Sequence, residues 1–226
     1  MREILGERRK NGNGNGRGAG GGQGAELREA ALRCVGRWRW PVLPGAEARP
    51  DGGCDCPRPD CVVPGAHPLD PELLAATTDS RMVGWWWRVR PRSPIMLATG
   101  GRGPCALSLP ALAGAAALAE LDRRGAPTGP VVAAPTRWML LVEPYELPEL
   151  GELLGALERV PSALRFHGVG GYLPLPPSRT GAGRVAWARE PEPRGERVPL
   201  PRAADLLDVL VEAGLSAPEP GGWLTY

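Results

Sequence analysis

From Trp40 to Pro68 the chain reads WPVLPGAEARPDGGCDCPRPDCVVPGAHP, a short apolar run followed by a loop that gathers Cys54, Cys56, Cys61 and His67. Trp40 to Pro44 has the composition of a strand entering a loop. Beyond it, Gly52, Gly53, Pro57, Pro59, Pro64, Gly65 and Pro68 leave no room for helix or strand, so the backbone is free to turn around an ion. Three thiolates and one imidazole are the donor set of a closed tetrahedral zinc site. The expectation is a structural zinc. Four protein ligands leave no open position for water, which argues against a catalytic metal. Disulfides or free thiols are the alternative, but the five cysteines are an odd count and no signal peptide precedes them, so a reducing, cytoplasmic setting is expected.

Outward from this loop, helices and strands alternate irregularly. Leu27, Ala30, Ala31, Cys34 and Val35 recur at helical spacing between Glu26 and Arg37, while residues 1–24, rich in Gly and Asn, lack apolar surface to bury and are expected to be a disordered tail. A second helix is predicted from the N-cap Asp79 to about Arg90, with Met82, Val83 and Trp86 on its inner face. Trp85, Trp86 and Trp87 cannot all point inward. Two are expected against a sheet and one over the metal loop, with a base-stacking platform as the alternative. Ile95 to Ala98 and Cys105 to Leu109 flank the turn Gly100-Gly101-Arg102-Gly103 and read as a hairpin or as adjacent strands. Pro110 opens an Ala-rich helix to about Arg124. Val131 to Ala134 and Trp138 to Val142 read as strands, Pro148 to Val160 as a helix, Ala163 to Phe166 with Gly171 to Leu175 as a hairpin, Arg184 to Ala188 as a strand and Pro201 to Ala213 as an amphipathic helix. The mixed order predicts an α+β (α/β) sheet domain over residues 25–215, with the metal knuckle at 52–68 and a C-terminal tail at 216–226.

Composition narrows the chemistry. The formal charge is +2, and the tail to Gly24 holds five basic and two acidic groups, which leaves 22 basic and 23 acidic in the body. Lys10 is the only lysine, so the body has no amine for a P-loop, a Schiff base or a kinase-type phosphate clamp. Outside the knuckle the one histidine is His167, and Cys34 and Cys105 sit in apolar contexts, which disfavours a nucleophile-histidine pair. No apolar run is long enough to span a membrane.

The ordered segments from Ala31-Leu32 through Trp40 to Pro44, the loop ending Pro64-Gly65-Ala66-His67-Pro68, Ala76-Thr77-Thr78-Asp79 with the tryptophan helix, Ile95 to Gly100, and Gly170-Gly171-Tyr172 with Pro176-Pro177-Ser178 resemble the N-terminal domain of bifunctional DNA primase/polymerases, a branch of the archaeo-eukaryotic primase superfamily. The similarity covers roughly Ala30 to Leu210. It implies a palm sheet and template-directed nucleotidyl transfer by two magnesium or manganese ions on acidic residues, with a histidine on a second strand touching the incoming triphosphate. DNA or a nucleotide, and replication proteins, are the implied partners; no membrane is.

The catalytic pattern departs from the family's. The paired-acid strand corresponds to Ala106 to Pro110, with Ser108 and Pro110 where carboxylates belong. The histidine strand corresponds to Pro135 to Leu140, with Trp138 and Met139 at the motif. The third acid corresponds to Arg165 in Leu164-Arg165-Phe166-His167. A hydroxyl and a proline do not replace hard oxygen ligands, Asp122 is the only aspartate between Ser80 and Arg202, and Glu143 is the only nearby rescue. The expectation is a catalytically lapsed domain, with no catalytic residue assigned, in which Arg137, Arg165, His167 and Arg179 bind phosphate in a cleft. The other readings are an active primase/polymerase, a nucleotidyltransferase needing magnesium or manganese, and a protein-interaction module. No helicase segment is expected after the domain.

Overall fold

The computed structural model describes residues 19–195 and 197–216. The expected tail up to residue 18, and the C-terminal tail from residue 217, lie outside the described residues. The first helix, α1 (Ala19–Arg37), buries the predicted stripe of Leu27, Ala30, Ala31, Cys34 and Val35. It also takes in residues 19–24, which composition had placed in the tail. The reason is local. Gly24 is buried, and a Cβ there would stand 2.9 Å from the Pro91 side chain, so a glycine lets the helix close on a neighbouring loop that composition does not reveal.

After β1 (Val42–Pro44) and the knuckle, Asp79 caps α2 (Ser80–Val89) by accepting from the Arg81 N–H at 2.8 Å. Val83, Trp86 and Trp87 are buried, while Met82 points to solvent at 44% exposure, against the sequence reading. Trp86 and Trp87 pack as expected in the core; Trp85 stays exposed and is absent from the apolar cluster around the knuckle, which is Ala46, Cys54 and Cys56 with Cys61 and Leu69.

Two sheets follow. The small one has the order β1, β2 (Ile95–Ala98), β7 (Tyr172–Leu175), and the large one runs β10 (Ala186–Arg189), β4 (Val131–Ala133), β5 (Arg137–Val142), β3 (Cys105–Pro110), β6 (Arg165–His167). Every pairing is antiparallel, so the fold is α+β. Neither predicted hairpin forms. β2 and β3 enter different sheets, as do β6 and β7, and the two segments pair with each other twice: Ala98 opposite Tyr172 in the small sheet, Ala106 opposite His167 in the large one. The chain passes between sheets where glycines permit it. Gly100 and Gly101 hold φ of 79° and 60°, and a Cβ at Gly100 would meet the Val169 backbone at 2.7 Å. Thr99 ties the crossings together by donating its N–H to Gly171 O at 2.9 Å and its hydroxyl to Gly168 O at 2.7 Å.

The large sheet separates two apolar layers. One of its faces joins the small sheet, α1 and α2; the other is covered by α3 (Ala111–Arg123) and α5 (Ala203–Ser216). Leu206, Leu207 and Leu210 of α5 are buried there, each worth roughly 1.5–3 kcal/mol. Pro110 closes β3 and caps α3 instead of occupying its first turn. A short helix, α4 (Leu147–Gly155), ends before the predicted Val160. A two-stranded ribbon, β8 (Arg179–Thr180) with β9 (Gly183–Arg184), leans on the knuckle through Gly181 N–H to Pro64 O at 2.7 Å.

Candidate functional site

Residues opposite one another in an antiparallel ladder share a face. Ser108 lies opposite both Met139 and Arg165, Ala106 opposite Leu141 and His167, and Pro110 opposite Arg137. The strands β5, β3 and β6 therefore bring Ser108, Pro110, Arg137, Met139, Arg165 and His167 onto one face, the one that looks toward the small sheet. Trp138 lies on the other face, opposite Leu109, with its Cβ 2.6 Å from where a Cβ at Gly114 of α3 would stand. Although it matched the motif in the sequence, it belongs to the packing under α3.

At the centre is Ser108, with no exposed surface. Its Oγ lies 2.8 Å from His167 Nε2 and accepts from Arg137 Nε and Nη2, both at 3.2 Å. Arg137 Nη2 also donates to the carbonyls of Ser108 at 2.8 Å and Ala163 at 2.6 Å. A guanidinium has only donors, so the serine hydroxyl gives its own hydrogen to Nε2 and His167 carries its proton on Nδ1. Burial, then the charges of Arg137 and Arg165, push His167 down to about 4, keeping it neutral. Burial and the Arg165 charge lower Arg137 to about 10, still protonated at neutral pH. No ion pair among the described residues involves Arg137 or Arg165. The arrangement is two cations, a hydroxyl and a neutral imidazole, which suits an anion and offers a divalent ion no carboxylate.

The remaining candidates are elsewhere. Arg179 sits in the β8–β9 ribbon, its carbonyl beside Gly65 of the knuckle, and is not hydrogen-bonded to the Ser108 group. Glu143 follows the far end of β5, four residues beyond Met139 or roughly 13 Å along the strand, with its N–H on Pro201 O. The Ser108 to His167 bond was not foreseen. Period-two alternation along β5 would have separated Arg137 from Trp138, but nothing in the sequence pairs β3 with β6.

The second cluster is the knuckle. One ligand atom from each of Cys54, Cys56, Cys61 and His67 lies within 4.8 Å of all the others. His67 Nε2 is 3.3 Å from Cys54 Sγ and 3.5 Å from Cys61 Sγ, while Nδ1 donates to Pro68 O at 2.7 Å. That outer bond fixes the tautomer and turns Nε2 inward. Tetrahedral bonds of about 2.3 Å to sulfur and 2.0 Å to nitrogen imply ligand separations of roughly 3.5–3.8 Å, so the set could hold a metal ion. Burial raises the Cys54 thiol, but N–H groups of Cys56 and Gly65 and the His67 and Cys56 side chains outweigh it and hold it at about 6. The Ala46 N–H, just after β1, donates to His67 O at 2.9 Å and ties the end of the loop to its start, and Arg49 donates to the Cys54 carbonyl within the loop.

The family model for the bifunctional DNA primase/polymerase N-terminal domain, Prim-Pol, matches residues 31–204. The chain belongs to this family. Searches of curated proteins and of solved structures returned no match. No helix among the described residues is long and apolar enough to cross a membrane.

Proposed function

We propose that this Prim-Pol domain, spanning about residues 25–215, has lost nucleotidyl transfer and uses its Arg137 and Arg165 face to bind the phosphate of a nucleic acid or nucleotide, in a cytoplasmic setting with replication proteins as partners. The observation that carries this reading is the buried Ser108, held between His167 and Arg137 where the family places a metal-binding carboxylate. Phosphoryl transfer with magnesium or manganese needs hard oxygen ligands, and a protonated guanidinium beside the ligand strand repels a divalent cation. The same guanidinium attracts phosphate with no metal between them. Arg165, exposed and unpaired among the described residues, makes first contact; Arg137, pinned by two carbonyls, holds a fixed charge behind it.

The knuckle, in this reading, holds one structural zinc through Cys54, Cys56, Cys61 and His67. Bound there, zinc would supply cross-linking of a Pro/Gly-rich loop and no reaction chemistry.

Primer synthesis and primer extension with magnesium or manganese, beside nucleotide and oligonucleotide binding at graded salt, test the reading. The expected result is no templated product, with binding that weakens steeply between about 50 and 200 mM salt and drops further in Arg165→Gln. Templated product that disappears in Glu143→Gln overturns the lapse.

A further inference from the structure

The outer face of α2 is Arg81, Met82, Trp85, Arg88 and Val89, all exposed, on the side opposite the buried Val83, Trp86 and Trp87. Exposure reaches 49% at Trp85, 44% at Met82 and 57% at Val89, a large indole and two aliphatic groups left uncovered on one short helix. One arginine stands a turn before Trp85 and the other a turn after, about 10 Å apart along the axis. A third comes from α1: Arg28 Nη2 lies 3.9 Å from where a Cβ at Gly84 would stand. None of the three arginines takes part in an ion pair among the described residues. α2 itself carries no acid, and Asp79 is engaged in capping it.

From this we propose that the α2 face is a second nucleic-acid contact, in which an unpaired base stacks on Trp85 while flanking phosphates lie on Arg81, Arg88 and Arg28. Charge complementarity selects a polyanion, and the exposed indole between guanidiniums selects one with open base faces, a single strand over a duplex. Met82 and Val89 extend the apolar floor on either side of the ring. The face is independent of the Ser108 group, because α2 buries its opposite side in the layer between itself and the sheets.

A fluorescently labelled oligothymidylate of about 20 nucleotides, titrated at low salt against the full chain, provides the test. Trp85→Leu keeps an apolar side chain without a stacking ring and is expected to weaken binding about fivefold or more, while Trp85→Phe recovers most of the loss. Arg81→Gln with Arg88→Gln is expected to reduce the slope of log affinity against log salt by about 1.4. Arg165→Gln weakens binding without altering the Trp85 effect, so failure of the Ser108 site and failure of this face are separable. Thermal melts of these exposed-site variants should match the parent. The proposal is overturned if Trp85→Leu and the double arginine variant bind like the parent, if Trp85→Leu and Trp85→Phe are equally weak, or if the face takes anionic vesicles or an acidic peptide and not the oligonucleotide.

Discussion

Ser108 is the residue at the centre of the polar group on the large sheet. Removing its hydroxyl by Ser108→Ala leaves a buried imidazole and one side of a half-buried guanidinium without a partner, at a cost of about 1–3 kcal/mol. Denaturant unfolding of the variant should show that loss with an unchanged m-value. His167 gives a pH signature at the same place. Its folded pKa near 4 lies below the ordinary 6.5, so between these values the unfolded chain takes up a proton that the folded chain refuses. The associated stability is fully present above about pH 6.5 and is lost as pH falls toward 4, up to about 3 kcal/mol. Stability measured against pH for the parent and for His167→Gln should therefore converge on the acid side; parallel curves would refute the assignment. At this scale the identities of Ser108, Pro110 and Arg165, none of them a carboxylate, were readable from the sequence alone, whereas the bonds among Ser108, Arg137 and His167 were not, because they join residues far apart in the chain.

Among the elements, the knuckle is the one expected to depend most on a bound ion. Apart from Ala46, its apolar cluster is made of its own cysteines and Leu69, so residues 52–68 are ordered by backbone hydrogen bonds with little apolar burial. Protein purified without chelator is expected to carry near one zinc per chain by elemental analysis; under about 0.3 counts against a structural zinc. Cys56→Ser should lower Tm by about 5 °C or more, a shift consistent with losing 1–3 kcal/mol in a domain of this size. The crossing between sheets is the other vulnerable element. Gly100→Ala places a Cβ 2.7 Å from the Val169 backbone at a φ of 79°, so it should destabilise by more than about 1 kcal/mol, while Gly151→Ala on exposed α4, with nothing within 4 Å, should be neutral or slightly stabilising. The helices were legible because their apolar spacing repeats locally. The two hairpins were misread because a glycine turn between apolar runs looks the same whether the chain doubles back or crosses to another sheet.

For the molecule as a whole, the decisive prediction is the absence of templated synthesis together with retained, salt-sensitive binding. Apolar layers on both faces of the large sheet hold β3 and β5 in place, so a domain without nucleotidyl transfer would still present Arg137 at a fixed position. The sequence by itself determined the grouping of Cys54, Cys56, Cys61 and His67, the buried stripe of α1, the cap of α2 and the absence of a carboxylate at Ser108, Pro110 and Arg165, since each depends on residue type or on spacing within one element. Only the tertiary structure decided that β2 and β3 part company, that Trp138 turns away from Ser108, and that Arg137 and His167 meet on one hydroxyl. Those outcomes depend on which strands pair and in what register, and register is set by packing across the whole sheet.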